Sequence, residues 1–212
     1  MSAAEADPQT KSGAPAAAPL PLTRREMSPI IGSMKILIAG LAFVGIVGLG
    51  HSGAVQDKPL ATVPSVDLAR YMGRWYDIAS FPQRFQKGCH CSTADYEMTD
   101  KGYVRVLNTC RKDAPEGKVS TAKGKAFVVK GSGNAKLRVQ FFWPFRGDYW
   151  IIDLAEDYSY AVVGEQKREY LWILARTPQI DEGLYQAIVG RCAEKGFDVS
   201  KLVRTDQSCE GK

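Results

Sequence analysis

Gly73-Arg74-Trp75-Tyr76-Asp77-Ile78-Ala79-Ser80-Phe81 (GRWYDIASF) opens a strand with its largest side chain two residues after a glycine. A tryptophan at a strand entrance needs a wall of apolar residues around it, and the hundred residues that follow supply one. From Trp75 to Arg176 the chain reads as strand after strand: TADYEM, GYVRVLNTC, KGKAFVVK, AKLRVQFFW, YWIIDL, YAVVGE and YLWILAR are short and rich in β-branched or aromatic residues. Turn chemistry separates them, including Asp100-Lys101-Gly102, Pro115-Glu116-Gly117, Gly131-Ser132-Gly133-Asn134 and Pro144-Phe145-Arg146-Gly147-Asp148. No helix fits between the strands, so the sheet is antiparallel and meandering, and with the Trp75 strand it has eight members.

Alternation assigns the faces. Val104, Val106 and Asn108 share one side of their strand; Ala94, Tyr96 and Met98 share one side of the strand before it; Leu137, Val139 and Phe141 share one side of a third. The YWIIDL and YLWILAR strands are apolar on both sides and require an outer cover. The spacing predicts that cover as a helix opened by Asp181-Glu182 and stopped by Gly196, with Leu184, Ala187, Ile188, Val189 and Cys192 on its apolar stripe. Eight antiparallel strands and one outer helix predict an all-β, up-and-down barrel, whose closure removes the exposed edges of the sheet. An eight-stranded barrel has room inside for one small ligand.

The amino terminus is different. Residues 1–33 are an Ala/Pro/Ser-rich extension too poor in large apolar groups to pack, with Met27 and Met34 as alternative natural starts. Residues 34–54 read as a signal peptide: Lys35, the apolar run Ile36–Gly50, then the small residues Ser52-Gly53-Ala54. Retention of the run as an uncleaved anchor is the alternative. Residues 55–63 are expected to link to a domain over 64–212. Without residues 1–54 the formal charge falls from +5 to +4, and no basic cluster points to nucleic acid.

The opening stretch and two others resemble the lipocalin family. Gly73 and Trp75 match its Gly-x-Trp motif, Tyr158 and Tyr160 partly match the second motif, and Arg176 in LWILARTP matches the arginine at the end of the eighth strand. YMGRWYDIASFPQRFQKG, FFWPFRGDYWIIDL and GFDVSKL are most similar to the subgroup of bacterial outer-membrane lipocalins and apolipoprotein D. The resemblance implies that Trp75 plugs the closed end of the barrel beneath Arg176, and that the cavity takes a fatty acid, lysophospholipid or similar amphiphile in the cell envelope. Inward positions expected to line it are Tyr96, Met98, Val106, Asn108, Phe141, Trp150, Ile152, Tyr160 and Trp172, the alternative being that these aromatics fill the barrel as core. Pro82–Gly88 is expected to overhang the mouth as a lid, with Phe85 at its centre or as a staple that holds the loop down. No residue after the apolar run is positioned as a lipid-accepting cysteine.

Five cysteines downstream of an export signal favour disulfides over metal. The hairpin near Asp100-Lys101 sets Cys110 beside the Cys89–Cys91 segment, and the resemblance implies Cys89–Cys110 and Cys91–Cys209, with Cys192 a buried thiol; exchange of Cys89 and Cys91 is the rival. Cys89-His90-Cys91 lacks enough partners for zinc, and no cofactor is expected. The competing readings are a cysteine-dependent lipid-modifying or isomerising enzyme, and a mainly structural, partner-binding barrel whose aromatic mouth (Phe85, Trp143, Phe145) is a docking surface or dimer interface. Membrane association is compatible with the carrier reading. Both a monomer and a homodimer are compatible with the sequence.

Overall fold

A computed structural model describes residues 58–209. The expected extension (1–33), the signal peptide (34–54) and the first residues of the expected linker lie outside the described residues. A short helix, α1 (Leu68–Tyr71), leads into eight long strands: β1 (Gly73–Ser80), β2 (Cys89–Met98), β3 (Val104–Lys112), β4 (Val119–Val128), β5 (Lys136–Gln140), β6 (Gly147–Leu154), β7 (Tyr160–Gly164) and β8 (Leu171–Ala175). Helix α2 (Glu182–Glu194) and a two-residue strand, β9 (Val203–Arg204), complete the chain. Each strand pairs antiparallel with its sequence neighbour, and β1 pairs with both β2 and β8, so the sheet closes on itself. This is the eight-stranded barrel that the strand spacing predicts.

Closure is shared with the carboxy-terminal tail. β1 pairs with β2 only over Gly73–Tyr76 and then follows β8. The tail fills the gap: β9 pairs with Ala79–Ser80, Thr205 N–H donates to the Ile78 carbonyl (3.0 Å), and Cys91 N–H donates to that of Asp206 (2.7 Å). Gln207 spans the seam, its Nε2 donating to the carbonyls of Asp77 (2.8 Å) and Ser92 (3.0 Å). Disulfides Cys89–Cys110 and Cys91–Cys209, with Cα separations of 5.4 and 6.0 Å, tie β2 to β3 and to the tail.

Two apolar layers result. The inner one gathers Trp75, Tyr96, Val104, Val106, Leu137, Ile151, Val163 and Leu174. The outer one places Ile78, Ile152, Val162 and Ile173 against Tyr185, Ile188 and Cys192 of α2. Asp181 caps that helix, accepting from the Leu184 N–H at 2.9 Å, and the chain leaves it through Gly196 at φ +85°. The buried stripe therefore runs through Tyr185 rather than Ala187, which faces solvent: 185, 188 and 192 follow the three- and four-residue helical spacing. Residues 58–63, expected as linker, pack with the domain. Leu60 is buried in the outer layer, and Val63 N–H donates to the Ile151 carbonyl at 3.0 Å.

Candidate functional site

The barrel floor is built from the opening motif. Trp75 is fully buried, and its Nε1 donates to the Tyr71 carbonyl at 2.8 Å, which satisfies its one polar atom. The Arg176 guanidinium lies 3.8 Å from the indole centroid and donates to the carbonyls of Arg74 (2.9 Å) and Arg70 (2.6 Å). Gly73 makes this approach feasible: its φ of +89° is a left-handed conformation, and a Cβ there would stand 3.4 Å from Arg176 Nη1. Tyr158 holds the lead-in from the other side, its hydroxyl accepting from Asp67 N–H at 2.8 Å while Arg70 covers its ring at 4.0 Å.

Above the tryptophan the closed half is packed. Tyr149 bonds to the hydroxyls of both Tyr71 (2.8 Å) and Tyr96 (3.0 Å), a buried trio in which desolvation raises all three pKa values, that of Tyr96 to about 12. A cavity of about 10 Å³ remains among Tyr71, Tyr96, Val104, Leu137, Val139 and Tyr149, the size of one water.

The mouth half is different. Phe141, on the inward side of the β5 line, is 37% exposed, and inward-facing Ala122 is exposed too, so solvent reaches this part of the interior. Gly124 gives the Phe141 ring its place, since a Cβ would come within 2.9 Å of Cε1. Asn108 faces the same space from β3, with a buried Oδ1 that has no hydrogen-bond partner among the described residues.

On the opposite wall is a residue the sequence reading missed. A bulge at Ile78 turns both Asp77 and Ser80 inward, opposite Leu174 and Trp172. Asp77 is 5% exposed. Its Oδ2 accepts from Gln86 Nε2 (3.0 Å) and Ser80 Oγ (3.2 Å), with Thr205 a lesser donor, while Oδ1 is buried without a full hydrogen bond. Burial outweighs those donors and pushes its carboxyl up to about 6. Gln86 also accepts from Trp172 Nε1 at 3.1 Å, and the Trp172 ring stacks on Tyr170. Period-two spacing from Trp75 to Asp77 was the available signal; nothing in a loop sequence marks Gln86.

Of the nine expected lining residues, Tyr96, Val106, Asn108, Phe141 and Trp172 face inward. Four do not line the mouth. Trp150 shares a face with its cross-strand neighbour Lys136, whose Nζ lies 3.8 Å from the indole centroid outside the barrel. A bulge at Ile152 sends that side chain to the outer layer and turns Asp153 outward as well, where its Oδ2 accepts from Arg191 Nε of α2 at 2.7 Å. Tyr160 packs beneath the same helix, its hydroxyl accepting from Arg191 Nη2 at 2.9 Å. Met98 has the right parity but the wrong end: β2 descends from the mouth, which leaves Met98 half-exposed at the closed rim. In the lid, Phe85 points outward at 65% exposure, and Gln86 makes the inward contact.

A family model described as "Lipocalin-like domain" matches residues 66–207. The chain belongs to the lipocalin family. It is 39% identical over 161 residues to temperature-induced lipocalin-1 of Arabidopsis thaliana, covering 72% of this chain and 86% of that protein. It is 36% identical over 175 residues to the outer membrane lipoprotein Blc of Escherichia coli K12 (82% and 98% covered) and 32% identical over 189 residues to apolipoprotein D of Mus musculus (83% and 96%). Among solved structures, insecticyanin from the tobacco hornworm Manduca sexta superposes with a TM-score of 0.57 at 17% identity, covering 70% of this chain and 85% of that one. Apocrustacyanin C2 superposes at 0.54 and 16% identity (66% and 79%). Lipocalins bind small hydrophobic ligands, and the lipocalin barrel here is sealed at the Trp75 end, while Phe141 and Ala122 are exposed to solvent at the other.

Proposed function

We propose that this lipocalin binds and carries a small amphiphile, such as a fatty acid, lysophospholipid or similar molecule, in a bacterial cell envelope. The observation that supports this reading is the contrast between the two halves of one interior. A floor packed down to a water-sized void contrasts with the other end, where the inward-facing Phe141 and Ala122 are exposed to solvent and Asn108 Oδ1 is buried without a partner among the described residues. An apolar interior with few polar atoms is the usual make-up of a lipid site. The proposed contacts are Val106, Asn108, Phe141 and Trp172, with Tyr96 part of the packed floor beneath them. Envelope residence is supported by similarity to proteins called outer membrane lipoproteins and by two disulfides, which persist in oxidising compartments. Membrane contact at the mouth is part of the proposal: Phe142, Trp143 and Phe145 are each more than three-quarters exposed beside Arg146.

The cysteine-enzyme alternative lacks a nucleophile among the described residues. Four cysteines are bridged, His90 is hydrogen-bonded to Asp206, and burial pushes the Cys192 thiol up to about 12. Solvent extraction of the purified full chain followed by mass spectrometry tests the carrier reading. A stoichiometric co-purified lipid supports it; lipid-free protein that also fails to take up any added amphiphile refutes it.

A further inference from the structure

Gln86 is a side chain of the mouth loop, yet it reaches inside the barrel and occupies two hydrogen-bonding positions at once. Its Nε2 donates to Asp77 Oδ2 at 3.0 Å, and its Oε1 accepts from Trp172 Nε1 at 3.1 Å. Both partners belong to the interior wall: Asp77 lies one inward step above the Trp75 floor, and Trp172 pairs across from Val163 on the inner face. The loop therefore supplies to the interior wall an uncharged group with one donor and one acceptor.

Two further observations concern what else could stand there. Asp77 Oδ1 and Asn108 Oδ1 are buried acceptors without hydrogen bonds of their own. The groups that meet Asp77 are Ser80 from β1, Gln86 from the loop, Thr205 from the tail and, electrostatically, the Tyr96 hydroxyl from β2; no basic side chain is among them. A carboxylate or phosphate head would bring a second negative charge beside Asp77, where none of these groups is basic, and would leave Asp77 uncompensated. An ammonium head would satisfy Asp77 but give Trp172 Nε1 nothing to donate to. A carboxamide or hydroxyl head satisfies both.

We infer that the Asp77–Trp172 pair selects amphiphiles with an uncharged donor–acceptor head, such as fatty amides or monoacylglycerols, over acyl anions, and that Gln86 is the internal stand-in such a head displaces. This rests on the carrier reading of a small amphiphile and, within it, ranks uncharged heads above the fatty-acid and anionic lysophospholipid examples named there. Discrimination arises because a buried group built to exchange hydrogen bonds rejects a ligand that leaves it unpaired. The loop side chain keeps Asp77 and Trp172 satisfied when no ligand is bound, so the ligand must outcompete an intramolecular partner.

The test uses the full chain and four probes with one acyl chain: oleamide, monooleoylglycerol, oleate and oleoyl lysophosphatidate, each titrated as a competitor of a fluorescent apolar probe. At about pH 8, where Asp77 is ionised, oleamide and monooleoylglycerol are expected to bind at least roughly tenfold more tightly than the two anions. Asp77→Asn should erase most of that preference by tightening oleate, while moving oleamide only slightly. Gln86→Ala, which removes the internal competitor and leaves Asp77 in place, should tighten the two neutral probes several-fold and provides a second variant should Asp77→Asn fold poorly. Oleate or lysophosphatidate binding as well as oleamide to the wild-type chain overturns the inference while leaving the carrier reading standing. A Gln86→Ala variant with unchanged affinities overturns the stand-in role. Failure of all four probes to bind overturns both the inference and the carrier reading beneath it.

Discussion

Arg176 stands 3.8 Å over the Trp75 ring and holds two backbone carbonyls of the lead-in, those of Arg70 and Arg74, with the same guanidinium. The floor of the barrel is therefore a three-way joint between the lead-in, β1 and the end of β8. A cation over an indole contributes about 1–2 kcal/mol when desolvated, and charged hydrogen bonds contribute about 1.5–3 kcal/mol each. Because Arg176 is half-exposed, the lower ends apply, and Arg176→Ala should cost about 4 kcal/mol in urea unfolding. Arg176→Lys should recover only part of this, since one ammonium cannot reach both carbonyls with the same planar geometry. A loss below about 1 kcal/mol for the alanine variant would show that the joint is held by Trp75 packing alone.

The seam between β1 and β2 predicts an asymmetry between the disulfides. Cys91–Cys209 closes a separation of 118 residues and Cys89–Cys110 one of 21. The chain-entropy relation gives about 5 kcal/mol for the first and about 3 kcal/mol for the second. Cys209→Ala should therefore lower the melting temperature more than Cys110→Ala. It should also raise amide exchange at Cys91 and Thr205, whose N–H groups bond across the seam the tail fills. Equal melting shifts, with no change in exchange there, would mean that Gln207 and β9 hold the tail without the bridge.

Most of the barrel was legible because alternation is a strict code where one face is polar. Arg105, Asp95 and Arg138 mark the outer side of β3, β2 and β5, so Val106, Tyr96 and Phe141 could be set inward. β6 carries apolar residues on both faces and a bulge in its middle. Asp148, across from Arg138, marks the face it shares with Trp150 as outward, a signal that the apolar run obscured, and the bulge puts Ile152 and Asp153 outside together. Asp77 was overlooked for the opposite reason: a charged residue in an apolar strand reads as outward, whereas its spacing from Trp75 sends it inward. Gln86 depends on how the mouth loop folds back over Asp77, a tertiary relation that no local pattern encodes.

Cys192 allows a direct test of the cysteine-enzyme reading. It is 1% exposed beneath α2, and with a thiol pushed up to about 12 it carries negligible thiolate at neutral pH. Iodoacetamide at about pH 8 should label it in the denatured but not the folded chain. Cys192→Ala should leave ligand affinity unchanged, because the residue faces the helix layer and not the interior. Rapid labelling of the folded protein would reopen the enzymatic reading.

Asp77 leads to a pH dependence whose sign is opposite to that of a typical acidic residue. Its carboxyl is raised from 3.8 to about 6 because burial outweighs the donors Gln86, Ser80 and Thr205. The folded state thus binds this proton more tightly than the unfolded chain does. The contribution is fully present below about pH 4, and it is lost as pH rises through 6. Two pKa units correspond to about 3 kcal/mol as an upper value. Other carboxylates act in the reverse direction, so the quantity to measure is the difference between wild type and Asp77→Asn, which has no proton to exchange there. Urea unfolding from about pH 4 to pH 8 should show the wild type losing up to about 3 kcal/mol relative to the variant, with most of the change between pH 4 and 6 and a plateau above 7. A constant difference across that range would mean that Asp77 titrates at its ordinary value and that the barrel wall at this point is wet.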